Sequence, residues 1–223
     1  MTGPVTSAIA FPLQSGYKAL VANGLKTKNV TITGTCAGSG SMTISPATTA
    51  ATFEGVNGFT SASTVAMNFT NCTPASAVAT TIGYYDTNYV PLGQSITGTS
   101  YIVYSRPFSI PTSVTVGSTG AIGTAIQYQD NTKSRAFGTL EFTYLIEPDT
   151  VTTAIVNLIE KSYEPPCKGP SVCVVFLTST PPSSLSLAWT GQSRYRIDAL
   201  GTLTPLSINI QYANGQTRIL TYN

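Results

Sequence analysis

The chain has 223 residues and a net charge of +2, with only 9% of its residues charged and no histidine. That length can bury a real core without a metal to hold it. The missing histidine rules out a Ser-His-Asp triad, a Cys-His dyad and a histidine metal site, and the near-neutral charge offers no basic footprint for nucleic acid. Serine, threonine, glycine and β-branched residues are plentiful, and hydroxyls in place of charges solvate this surface, as in exported, envelope, phage and pilus β proteins.

In chain order, the Met1–Pro4 start lacks the basic and apolar regions of a signal peptide, so an exported protein would be a mature chain with its leader removed. No hydrophobic run approaches the ~20 residues that span a bilayer. Between Ala8 and Asn23 a short helix capped by Ser15 is predicted to run through Ala22, with Asn23-Gly24 as its left-handed stop. From Lys28 the pattern turns to strand: Val30 and Ile32 alternate with threonines up to Cys36. Short strands follow in residues 40–46 and 51–55, and Val65, Met67 and Phe69 share one parity before Cys72. Strands are predicted over Val78–Asp86 and Thr99–Ser105, joined by a turn-rich Tyr89–Gly93. Pro107 and Pro111 interrupt regular pairing and suggest a module boundary near residue 107.

Ile122–Gln129 reads as the next strand, followed by a turn at Asp130–Lys133. The stretch 136–163 is the predicted central hairpin: Leu140, Phe142, Tyr144 and Ile146 alternate with polar residues, and Glu147–Thr150 reverses the chain. Residues 154–159 are apolar on both parities, as in a strand covered on both faces. A strand is expected over Val172–Thr178. Leu185, Leu187 and Trp189 then alternate up to a predicted turn at Gly191, before Tyr195 and Ile197. In the last hairpin Leu206, Ile208, Ile210 and Tyr212 approach Asn214-Gly215, read as a type I′ turn that returns Thr217 and Ile219 to the same face.

The four cysteines, Cys36, Cys72, Cys167 and Cys173, allow three pairings, of which nearness in sequence favours 36–72 and 167–173. Their spacing fits no zinc pattern. Two disulfides imply an oxidising compartment, the alternative being four reduced buried thiols. No metal and no cofactor is expected.

Motifs with chemical meaning are few. Ser15-Gly16-Tyr17-Lys18 matches the S-x-x-K of penicillin-recognising enzymes, but Lys26-Thr27-Lys28 only half imitates the K-T-G it needs. Glu147 and Asp149 straddle a turn proline and read as solvated carboxylates. Glu141 or Asp198 would have to join a cleft to serve a carboxylate-only hydrolase. Asp130-Asn131 lacks the rest of a calcium loop. Asn29, Asn68 and Asn71 head glycosylation sequons that matter only in a eukaryotic host. Tyr84, Tyr85 and Tyr89, in a window that also holds Tyr101 and Tyr104, read first as cross-strand packing and otherwise as a binding platform. Arg194 and Arg196 share a strand face and Arg218 lies on the polar parity of the last hairpin; together they read as a solvated face, or as a grip on an anionic partner.

The stretches FPLQSGYKALV, YYDTNYVPLG, IPTSVTVGSTGAIGT, EPDTVTTAIVNLIEKSY, RYRIDALGTLTP and SINIQYANGQT resemble a family of uncharacterised exported proteins, often read as lipoproteins, of Burkholderia-like proteobacteria. The resemblance implies an N-terminal signal and a lipidated cysteine upstream. It brings no activity and no catalytic residue.

The expected architecture is mainly β and antiparallel. It has an N-terminal segment with a short helix (1–27), a disulfide-tied, Ig-like sandwich module (28–107) and a curved meander forming an open sheet or partial barrel (108–223). The expected function is that of a monomeric, non-enzymatic cell-envelope protein. It would be periplasmic, lipid-anchored at the outer membrane or extracellular, binding a protein, glycan or lipid partner or presenting an antigen-like surface. The alternatives are a structural subunit of a surface or phage assembly and the carboxylate-only hydrolase.

Overall fold

The structure is a computed structural model and describes residues 6–105, 107–165, 179–181 and 184–223. The expected 167–173 disulfide and the strand over Val172–Thr178 lie outside the described residues. The protein is mainly β and antiparallel. Its helix α1 (Leu13–Asn23) precedes β1 (Leu25–Gly34), β2 (Gly38–Ile44), β3 (Thr49–Phe53), β4 (Val56–Phe69), β5 (Ser76–Asp86), β6 (Pro91–Ile96) and β7 (Ser100–Tyr104). The second half holds β8 (Thr119–Tyr128), β9 (Ala136–Pro148), β10 (Thr153–Glu164), β11 (Ser186–Asp198), β12 (Leu203–Tyr212) and β13 (Thr217–Tyr222).

From β4 to β13 each strand pairs with the next. β13 then pairs with β1, β1 with β2, and β2 with β4, so twelve strands form a closed barrel and β3 hangs from β4 as an outer hairpin. This replaces the expected sandwich followed by an open sheet or partial barrel. β7 and β8 pair directly, and the proline-rich residues 107–118 between them are a loop within one sheet. Closure removes the edges that a sandwich would leave unpaired.

The two faces of the wall differ sharply. Val30, Ile32, Met67 and Leu220 form a buried interior cluster, while their neighbours Thr31, Thr33, Ser41 and Thr221 point outward. Around this cluster hydroxyls are outside and hydrocarbon is inside. No helix among the described residues is long and apolar enough to cross a membrane.

One end of the barrel is stoppered. Phe11 bridges to Val114 and is buried with Leu13, Ile146, Ala154, Val156 and Ile197. α1 crosses from the β11–β12 turn, where a side chain on Gly16 would strike the Gly201 carbonyl, to the β2–β3 turn, where Ala47 N–H donates to the Val21 carbonyl. The helix starts two residues before the expected cap: Ser15 Oγ donates to the Pro12 carbonyl and caps nothing, whereas Gly24 closes the helix at φ 69° as anticipated. At the opposite end the Cys36–Cys72 disulfide joins the β1–β2 and β4–β5 turns, beside the β2–β4 seam.

Four local expectations are corrected. The turn-rich connection contains β6, which pairs with β5 and β7. Gly191 is no turn: it sits in the middle of β11, opposite Glu160 and Ile210. Of Asn214 and Gly215 only Gly215 has positive φ, and Tyr212 N–H donates to the Gln216 carbonyl, so the loop is longer than a type I′ turn. Consequently Ile208 and Ile210 face Leu220 and Arg218, and Thr217 and Ile219 are on the outer face instead of the inner one.

Candidate functional site

β10 organises the interior. Its residues Val156, Leu158, Glu160 and Ser162 face inward, opposite Ile146, Tyr144, Phe142 and Leu140 of β9. On the other side stand Tyr195, Ser193, Gly191 and Trp189 of β11. Two cavities meet along this row. The first, about 370 Å³, lies under α1 and is walled by aromatic side chains, among them Tyr17, Tyr104, Phe108, Phe142, Trp189 and Tyr195. The second, about 460 Å³, lies toward the opposite end and is walled by Ser63, Thr81, Ser100, Gln127 and Glu164 among others. Gln94, Glu160 and Trp189 line both.

The aromatic wall has a local cause at each position. Phe108 enters over Gly123, where a Cβ would lie 2.6 Å from its ring, and stacks on Tyr104 at 4.6 Å and edge-on to Phe142 at 5.3 Å. Trp189 leans over Gly191, where a Cβ would lie 3.0 Å from its ring and 4.0 Å from the Glu160 Cβ. Tyr17 reaches down from the helix toward the Tyr85 hydroxyl. Burial raises the pKa of Tyr17 and Tyr104 well above the ordinary phenol value and that of Tyr195 to about 12. These phenols are therefore neutral polar handles on an apolar wall.

Glu160 is the exception in this chamber. It lies deep within the barrel yet borders open cavity, and its carboxyl has no hydrogen-bond or cation partner among the described residues. Loss of water alone pushes its pKa from 4.5 to about 7. Its strand neighbour Glu164, by contrast, accepts from Ser162 Oγ, which in turn accepts a buried bond of 2.8 Å from Gln127. No basic side chain lines either cavity among the described residues.

The residues singled out from the sequence are dispersed by this fold. Tyr85 faces the interior, but Tyr84 faces outward, where it stacks on Phe53 at 4.4 Å over Gly93. Tyr89 sits in the β5–β6 turn at φ 61° and stacks on Phe59. Arg194 and Arg196 stand on the outer wall and are paired with Glu147 and Asp149 respectively. Arg218 points inward and lies over the Phe69 ring, 5.6 Å from its centroid. Glu141 accepts from Tyr163 on the outer wall, and Asp198 accepts the backbone N–H groups of Leu200 and Thr202. Glu160 was missed by sequence reasoning, although a signal exists: it is the one carboxylate among Ala154, Val156, Leu158 and Ser162 on the parity that is otherwise uncharged through residue 162.

Fold and site together define a closed antiparallel barrel whose interior is aromatic at one end, polar at the other and acidic at the waist. No protein-family model matches this chain, and no curated protein and no solved structure matches it.

Proposed function

We propose that this protein is a non-catalytic small-molecule binder that holds an amphipathic ligand inside its barrel. The observation that carries this reading is the cavity under α1. At about 370 Å³ it falls within the range of known ligand sites, it is aromatic, and a few convergent polar groups border it. The formed Cys36–Cys72 bridge supports an exported, oxidising location, in line with the resemblance to exported proteobacterial proteins. Barrel closure speaks against assembly through a long open sheet edge, because among the described residues only the five-residue β3 hangs outside the ring. Against a two-carboxylate hydrolase, Glu160 and Glu164 lie along one strand, about 13 Å apart at 3.3 Å per residue, and not face to face across the 5–9.5 Å that such chemistry uses.

Trp189 is the only tryptophan and lines both cavities, so it reports occupancy. Titration with the neutral probe N-phenyl-1-naphthylamine should give saturable energy transfer from Trp189, absent in Trp189→Phe. Absence of saturable binding to the folded protein would refute the reading.

A further inference from the structure

The cavity reading leaves open what polar group a ligand carries, and the waist of the barrel answers that. Glu160 is flanked by the Phe142 ring on β9 and, across β11, by the Trp189 ring lying over Gly191. Tyr104 of β7 meets that Phe142 ring edge-on at 5.2 Å and lines the same cavity as Glu160. A carboxylate ringed by aromatic faces is the arrangement that stabilises an ammonium group, since each ring presents a negative face to the cation. A carboxyl that must only fill space in such a place would be costly unless paired, and this one is aimed into open volume.

Among the described residues the protein supplies no cation of its own there. Arg218 stands in the same transverse row, through Gly191 and Ile210, but three strands away, which is about 14 Å along the sheet. Its guanidinium is over Phe69. Lys133, Arg194 and Arg196 are paired on the outer wall. Below the waist the second carboxylate, Glu164, keeps the interior potential negative toward the polar end. Among the described residues an anionic ligand would meet two carboxylates and no counter-ion. A neutral one would leave Glu160 without a partner.

We propose that the barrel interior is an organic-cation site, in which Glu160, between Phe142 and the Trp189-covered Gly191, receives the ammonium group of an amphipathic amine whose apolar body fills the aromatic chamber under α1. This rests on the cavity reading above, and the two can be separated by one experiment. Decylammonium, decanol and decanoate, which share a chain and differ in charge, are titrated below their micelle concentrations while Trp189 emission is followed at about pH 8, above the Glu160 pKa.

The wild-type protein should bind decylammonium about 10-fold or more tighter than decanol, and decanoate weakest. In Glu160→Gln the ammonium advantage should shrink to about 3-fold or less, with decanol affinity kept. Equal binding of all three probes, or a preference for decanoate, overturns the cation assignment and leaves the cavity reading standing. An undiminished ammonium preference in Glu160→Gln overturns the role given to Glu160. Failure of all three to bind the folded wild type overturns both. Should Glu160→Gln not fold, the wild-type charge series decides alone.

Discussion

Glu160→Gln also makes a stability prediction that needs no ligand. In the unfolded chain the Glu160 carboxyl ionises near 4.5, whereas in the barrel it ionises at about 7 because water is withdrawn from it. Between those values the folded protein binds a proton that the unfolded chain has released. Stability therefore falls as pH rises through this window and is level above it. At about 1.4 kcal/mol per tenfold, the whole effect is about 3 kcal/mol, of which about 2.5 kcal/mol falls between pH 5 and pH 8. Because the chain has no histidine, no other side chain of ordinary pKa titrates in that interval. Burying the glutamine amide costs something as well, but equally at both pH values, so it cancels from the difference. Urea unfolding of both proteins at pH 5 and pH 8 should show the wild type losing about 2.5 kcal/mol on going to pH 8 and the variant losing little. Parallel pH profiles for the two proteins, or a flat wild-type profile, would refute the claim that this carboxyl is desolvated and unpaired.

Other outcomes follow from the same geometry. Replacing Cys36 and Cys72 by serine reopens a 36-residue separation, and should lower the unfolding free energy by about 3–4 kcal/mol in urea titrations; no loss would mean that the β2–β4 seam holds the β1–β2 and β4–β5 turns unaided. Phe53→Ala removes a ring that is 3% exposed and packed on Tyr84 and Tyr101 outside the barrel, and should cost about 3 kcal/mol while leaving cavity binding intact. Gly191→Val places a Cβ 3.0 Å from the Trp189 ring and displaces it from its seat beside Glu160; its barrel should keep the wild-type far-UV spectrum but lose saturable probe binding. A cysteine at position 219 should react with a bulky maleimide in the folded protein and one at position 220 should not, since Leu220 is 4% exposed and faces inward.

The Glu54 cluster shows how the outer hairpin is held. Burial works against the Glu54 charge, but hydrogen bonds from Lys133 and Tyr101 outweigh it and lower the pKa. Glu54 itself turns at φ 49° at the β3–β4 tip, so the same residue reverses the chain and fastens it to the β8–β9 turn. Exposed pairs of this kind are worth little alone; Phe53 beneath it supplies the apolar contact.

Local alternation was enough to identify most of this protein's strands. The hairpin of β9 and β10, the helix stopped at Gly24, the Val65–Met67–Phe69 parity of β4 and the 36–72 cystine all follow from period, turn chemistry and cysteine spacing. Alternation reveals that a strand has two faces, but carries no mark saying which is inside. The last hairpin makes the point concretely: a type I′ turn at Asn214-Gly215 would set Ile210 opposite Ile219, whereas the longer loop sets it opposite Arg218. A one-residue difference in a turn thus sends an arginine into the barrel and an isoleucine out. Closure was equally hidden, because it rests on β1 meeting β13 and β2 meeting β4, contacts between distant parts of the chain with no local signal. Gly191 reads locally as a turn and only the wall around it makes it a gap for Trp189. Glu160 follows the same logic. Its residue type was visible in the sequence, but its solitude is a property of twelve strands closing around it and withholding both water and a partner.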